Sequence, residues 1–158
     1  MNLDQFDIQI LEILQQDNMT SQRDIGYKIG LSAAAVQRRI KKMREEKVII
    51  ADISVINPEE VASDILLFVE IELNTDKIEF IDEIKSTFSH IPQIQQCYYV
   101  TGEVDFILVM VVNSMREYEL LTRELFFSNS NIKRFKTFVN MHSVKVGLQI
   151  PLSKMKLK

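Results

Sequence analysis

The sequence predicts an α+β chain: an N-terminal helix-turn-helix domain joined by a strand-containing linker to a ferredoxin-like βαββαβ domain. Three observations lead there. Asp4, Ser21 and Ser32 open three helical patterns within the first 47 residues, and only Gly30-Leu31-Ser32 separates the second from the third. From residue 65 onward, four strand-like apolar runs alternate with two amphipathic helical patterns. Gly (4) and Pro (3) are scarce among 158 residues, which favours long regular elements over loops.

The first helix starts at Asp4, with Asp7 three residues on as a capping-box partner and Leu3 and Ile8 placed as a hydrophobic staple. Ile8, Leu11 and Leu14 follow at helical spacing. Ser21 and Asp24 open the second helix, which carries Ile25 and Ile29 and stops at Gly30. Ser32 opens the third, where Val36, Ile40 and Met43 make one apolar face. A turn of about three residues between two helices is the spacing of a helix-turn-helix, whose second helix enters the DNA major groove.

Charge supports that reading. The chain carries formal charge −3, yet residues 33–47 hold six basic and two acidic side chains. With Val36, Ile40 and Met43 turned inward, Ala33, Ala34, Gln37, Arg38, Lys41, Arg44 and Glu45 face outward, with Arg39 and Lys42 on the flanks. Small residues at the helix start permit close approach to a phosphate. Gln37 and Arg38 are long enough to reach base edges, and the lysines act as point charges. The candidate contacts to double-stranded DNA are Ser21, Gln22, Ser32, Ala33, Ala34, Gln37, Arg38, Lys41 and Lys42. A basic helical face with no partner is the plainer reading; the capped helices and short turn favour DNA because they predict where the charge should sit.

Beyond residue 47 the pattern changes. Residues 47–58 read as a strand and linker closed by Asn57-Pro58. Strands are expected at 65–73, 93–101, 104–112 and 132–146, and helices at 76–90 and 114–129, the latter with a Ser114/Glu117 capping box. The domains are therefore 1–50 (helix-turn-helix), 51–64 (linker with strand), 65–152 (ferredoxin-like) and 153–158 (basic tail). In 104–112, Phe106, Leu108, Met110 and Val112 alternate with the equally apolar Ile107, Val109 and Val111. Both sheet faces are thus apolar, which predicts that a second copy covers the face without helices. A homodimer also supplies paired reading heads for palindromic half-sites.

Other classes find no footing. The longest apolar run, 106–112, is too short for a bilayer, so no membrane is expected. The N-terminal residues do not read as a signal peptide, and the lone Cys97, read as a core residue, suits a reducing compartment; a cytoplasmic location follows. His90 and His142 lack partners at metal-ligand spacing, and neither a phosphate loop nor a catalytic triad is visible; no cofactor is expected.

Five segments in order, LDQFDIQILEIL, IGLSAAAVQRRIKKM, VIIADISVINPE, IQQCYYVTGEVDFIL and TFVNMHSVKVGLQIPL, resemble the Lrp/AsnC family of bacterial and archaeal transcriptional regulators over residues 3–152. The resemblance implies a DNA-binding dimer that assembles into tetramers or octamers. It also implies a small-molecule effector, often an amino acid, between dimers. Its effector-response positions fall here on Tyr99, Thr101, Gly102, Glu103 and Asp105, and on Thr137, Phe138, Val139 and Asn140. Gly102 can expose amides to an α-carboxylate, and Asp105 or Glu103 can take the α-ammonium. Within that set the chain departs from the family pattern at Glu103 and Asn140. Two rivals share the architecture: a siroheme-decarboxylase-like enzyme, and a partner subunit that does not itself bind DNA. The basic third helix argues against both, and the presence of only two histidines against the enzyme.

Overall fold

The computed structural model describes residues 2–61 and 65–152. The expectations for residues 62–64 and for the basic tail at 153–158 lie outside the described residues. The chain forms two compact units, one from residues up to 55 together with those from 145 onward, the other from residues 56–144.

In the first unit, helices α1 (Gln5–Gln16), α2 (Gln22–Ile29) and α3 (Ala33–Glu45) close on one apolar cluster. The capping box at Asp4 is reciprocal: its carboxylate accepts the Asp7 amide at 2.9 Å, and the Asp7 carboxylate accepts the Asp4 amide at 3.1 Å. Ser21 Oγ accepts the Asp24 amide at 3.1 Å, and Ser32 Oγ accepts that of Ala35 at 3.2 Å. Gly30 adopts φ 77°, and the Leu31 amide turns back to the Gly26 carbonyl at 2.9 Å. That return needs a second glycine, because a Cβ on Gly26 would stand 2.4 Å from the Leu31 carbonyl oxygen. The core holds Ile10, Leu11, Ile25, Val36, Ile40 and Met43, all buried. Each contributes about 1.5–3 kcal/mol by leaving water. After α3 the chain reverses at Lys47, a non-glycine residue at φ 59°, with the Val48 amide donating to the Met43 carbonyl at 2.8 Å.

The second unit opens with a single helical turn, α4 (Pro58–Val61). Strands β1 (Ile65–Leu73), β2 (Ile94–Tyr99), β3 (Phe106–Val112) and β4 (Ile132–Val139) form one antiparallel sheet in the order β2-β3-β1-β4. Helices α5 (Ile78–Ser89) and α6 (Met115–Thr122) supply the crossovers, giving the expected βαββαβ order. Leu67, Val69, Ile71 and Leu73 of β1 join Phe106, Leu108, Met110 and Val112 of β3 under the helix residues Ile81, Ile84, Phe88 and Phe126. Phe88 makes edge-on ring contacts with Phe106 at 5.8 Å and with Phe126 at 6.2 Å. The register puts Leu66, Phe68, Ile107, Val109, Val111 and Phe138 on the opposite face. This is the apolar second face that the alternation in 104–112 predicts.

Several boundaries differ from expectation, each for a local reason. The strand expected to run to 146 stops at Val139, because its neighbour β1 begins at Ile65 and the last bond is from the Asn140 amide to the Leu66 carbonyl. Among the described residues, 50–56 form no backbone hydrogen bonds, so the linker strand is not seen: a strand needs a neighbour. The second strand loses its last two residues and the third its first two to the hairpin anchored by Asp105. The helix expected at 76–90 is Ile78–Ser89, with extended Lys77 as its N-cap. That expected at 114–129 ends as α-helix at Thr122 and continues as a π-helical turn, Arg123–Phe127, which buries both Leu125 and Phe126. Ser114 Oγ accepts the Glu117 amide at 3.2 Å, but Glu117 reaches back to the Asn113 amide rather than to Ser114, so the box is shifted by one residue. Cys97 lies exposed on edge strand β2, not in the core.

Candidate nucleic-acid interface and effector region

The outward face of α3 is assembled as the sequence implies. Ser21, Gln22, Ser32, Ala33, Ala34, Gln37, Arg38, Lys41 and Lys42 are all exposed. Their partners sort them further. The hydroxyls of Ser21 and Ser32 are committed to capping, so what they offer a ligand is the helix start itself. Gln37 and Arg38 form no side-chain bond among the described residues. Lys41 and Lys42 stand 3.8 Å from Glu45 and Glu46 across solvent-exposed i,i+4 pairs, contacts too long and too wet to hold them.

Two other basic residues of the stretch are engaged. Arg44 makes a two-point contact with Asp52, Nε at 3.0 Å and Nη2 at 3.1 Å, which ties down the segment after α3. Arg39 Nη1 lies 2.7 Å from Asp7 and 2.8 Å from Asp4, with its guanidinium 5.6 Å from the Phe6 ring centre. The Asp7 side chain is only 3 % exposed, and Arg39 is its charge partner. Asp7 and then Asp4 hold Arg39 further toward its charged form. The Asp7 amide and Arg39 in turn lower the Asp4 carboxyl. One capping box thus fixes the start of α1 and the middle of α3 together. The sequence reading saw the box and placed Arg39 on a flank; it missed their union, which the acidic pair in α1 facing a basic run at a separation of 32 residues could have suggested.

The positions expected to respond to an effector lie in two groups. The β2–β3 hairpin is anchored at the end of β1: the Asp105 amide donates to the Ile71 carbonyl at 2.8 Å, and its carboxylate accepts the Leu73 amide at 2.7 Å. Thr101, Gly102 and Glu103 are exposed at its tip, and Gly102 has φ 138°, a region that favours glycine. Tyr99 stacks at a tilt on Phe106, 5.1 Å between ring centres, with Lys85 Nζ 4.8 Å over its ring. The second group sits on edge strand β4. Thr137 faces the helices, its hydroxyl 2.5 Å from that of Tyr118, whose phenol is pushed up by burial. Phe138 faces the other way, with Lys136 Nζ 4.5 Å from its ring centre.

Within one chain the far ends of the two groups stand well apart. Asn140 bonds to Leu66 while Asp105 bonds to Ile71, five residues along β1 and roughly 17 Å away. Tyr99 is on β2, at the opposite sheet edge from β4. The hairpin instead meets β4 lower down, in a shallow depression of about 220 Å³ lined by Glu70, Glu72, Glu103, Val104, Arg134, Phe135 and Lys136. Glu72 there accepts from Lys133 and Arg134, which lower its carboxyl, Lys133 the more strongly. Among the described residues no group of three or more His, Cys, Asp or Glu side chains could hold a metal, and no helix is long and apolar enough to cross a membrane.

Comparison with known proteins assigns both units. Residues 3–44 match the AsnC-type helix-turn-helix domain, and residues 66–150 match the Lrp/AsnC ligand binding domain. The chain belongs to the Lrp/AsnC family. It is a transcriptional regulator of that type, with a helix-turn-helix and a ligand-binding domain. An uncharacterized HTH-type transcriptional regulator of Sinorhizobium fredii is 37% identical over 152 residues, 96% of this chain and 90% of that protein. The leucine-responsive regulatory protein of Haemophilus influenzae is 32% identical, covering 90% of this chain and 86% of its own length. The crystal structure of an AsnC family transcriptional regulator from Agrobacterium tumefaciens superposes with TM-score 0.88 at 28% identity, covering 98% of this Lrp/AsnC chain and all of that one.

Proposed function

We propose that this Lrp/AsnC regulator binds specific double-stranded DNA through α3 and that its second unit senses a small molecule, an amino acid being the favoured class. The observation that carries the DNA half is the division of labour on α3. Arg39 and Arg44 are spent on carboxylates within the unit, while Gln37 and Arg38 stand exposed with no side-chain bond among the described residues, beside two loosely held lysines. Side chains that can form two bonds to one base suit base edges, and lysines suit phosphate. The amides at the start of α3, flanked only by Ala33 and Ala34, suit a phosphate as well.

The effector half rests on the hairpin tip and on kinship with a protein named as leucine-responsive. Glu103 is exposed and Asp105 keeps one carboxylate oxygen beyond its bond to Leu73, so acidic groups are on hand for an α-ammonium. Because Asp105 and Asn140 are about 17 Å apart along β1 within one chain, a site using both of them draws on a second copy. The apolar sheet face (Leu66, Phe68, Ile107, Val109, Val111, Phe138) gives that copy a surface to cover, and assembly beyond the dimer, to tetramer or octamer, is part of this reading. A cytoplasmic location and the absence of enzymatic activity follow from the same role.

The test is fluorescence anisotropy with DNA from upstream of the gene, repeated with each common amino acid. At least one amino acid should shift the affinity by about fivefold or more, and Glu103→Ala should remove that shift while leaving the affinity without effector unchanged. A response that survives Glu103→Ala would refute the hairpin as effector site. A protein that binds no DNA alone, but alters binding by a related regulator, would establish the partner-subunit role instead.

A further inference from the structure

Gln15 of α1 and the segment Gln149–Leu152 meet within the first unit through contacts that neither DNA reading nor effector sensing uses. Gln15 Oε1 accepts the Ile150 amide at 2.7 Å, and Gln15 Nε2 donates to the Ile150 carbonyl at 3.1 Å. One side-chain amide thus pairs with both backbone groups of one residue, reproducing a rung of an antiparallel ladder. Local sequence favours this. Pro151 restricts the residue before it to extended backbone, in which N–H and C=O project to the same side. Gln149 Nε2 then donates to the Gln15 main-chain carbonyl at 3.1 Å, in the last turn of α1, where carbonyls have no intrahelical donor. Past the proline, Leu152 is half-buried against the cluster that includes Val36, Ile40 and Met43, the residues that seat α3.

We propose that Gln149–Leu152 is a strap that completes the DNA-binding unit: it docks in the notch at Gln15, closes the end of α1 and plugs the core beneath α3, and its release lowers DNA affinity. The strap follows the effector-binding unit in the chain, so the first unit is continuous with the second at both of its ends, near residues 55 and 145. A change of state in the second unit can therefore reach α3 through the strap as well as through the linker. The functional half of the proposal rests on the DNA-binding reading; the docking half does not.

Amide hydrogen exchange on the full chain separates them, run beside DNA anisotropy for the wild type, Gln15→Ala and Leu152→Ala. The Ile150 amide should be protected in the wild type and exchange about tenfold faster or more in Gln15→Ala, since two hydrogen bonds are lost. Protection at Leu67 and Leu108 in the second unit should not change. Both variants should bind upstream DNA about three- to tenfold more weakly with an unaltered salt dependence, because no phosphate contact is removed. An Ile150 amide exchanging freely in the wild type would overturn the strap. Protection in the wild type with undiminished DNA binding in both variants would overturn its role. A wild type that protects Ile150 but binds no DNA would sink the DNA-binding reading and leave docking upheld.

Discussion

Arg39 Nη1 lies 2.7 Å from the Asp7 carboxylate, and that carboxylate is nearly out of solvent. The pair joins the capping box of α1 to α3, so the most basic helix of the chain is held by one of its own cations. A buried carboxylate left without its partner is costly, whereas a solvated one is not.

Arg39→Ala should therefore destabilise the first unit by about 2 kcal/mol. Arg39→Lys should recover only part, since an ammonium on a shorter side chain gives up the guanidinium's contact with the Phe6 ring. Urea unfolding checks both. The salt dependence of DNA binding should be unaltered in Arg39→Ala, in contrast to Lys42→Ala, which should flatten it by about one ion. A flattened dependence in Arg39→Ala would place Arg39 on phosphate instead.

The same clasp sets a pH window. The Asp4 carboxyl is lowered from its ordinary value of 3.8, by the Asp7 amide first and then by Arg39. A carboxyl lowered on folding adds stability that is fully present above the ordinary value and is lost as pH falls through the folded one. Asp4→Asn removes this titration. Its stability should fall less steeply than that of the wild type below about pH 4, as measured by thermal unfolding across pH 2–6. Parallel curves would contradict the clasp.

Gly26→Ala should be among the most damaging single-methyl changes in the chain. Its Cβ would stand 2.4 Å from the Leu31 carbonyl oxygen, a backbone atom that moves only with the whole turn. A cost of about 1–3 kcal/mol is expected in denaturant unfolding, together with weakened DNA binding, because the turn sets the angle of α3. Lys47→Gly should act in the opposite sense. At φ 59° a side chain costs about 1 kcal/mol, and glycine should raise stability by that amount.

Asp105 and Glu103 should part company. Asp105→Ala leaves the Leu73 amide without its 2.7 Å acceptor, so it should lower stability of the second unit by about 1–2 kcal/mol in addition to any effect on the effector. Glu103→Ala, at the exposed tip, should alter only the effector response. Equal losses of stability would contradict the anchoring role given to Asp105.

Local signals carried most of the fold. Caps at Asp4, Ser21 and Ser32, the Gly30 stop and period-two apolar runs each depend on a few adjacent residues, and each lies where expected. What depends on a distant neighbour did not show. β4 ends at Val139 because its ladder with β1 closes at the bond from the Asn140 amide to Leu66, and nothing in residues 140–146 announces that. The π-helical turn at Arg123–Phe127 answers the need to bury two successive apolar residues, a demand set by the sheet below. At the site, exposure of Gln37 and Arg38 follows from helical period alone, whereas the withdrawal of Arg39 and Arg44 depends on carboxylates elsewhere in the chain. The response positions read as one set through kinship, yet the ladder registers place them on opposite reaches of the sheet.

The most direct test of the central claim, that the outward face of α3 reads DNA sequence, is anisotropy on upstream and random DNA at two salt concentrations for the wild type, Arg38→Ala and Lys42→Ala. The account predicts that Arg38→Ala loses about 1–3 kcal/mol on upstream DNA and much less on random DNA. Lys42→Ala should weaken both alike and flatten the salt dependence. Equal losses on both DNAs for Arg38→Ala would contradict it.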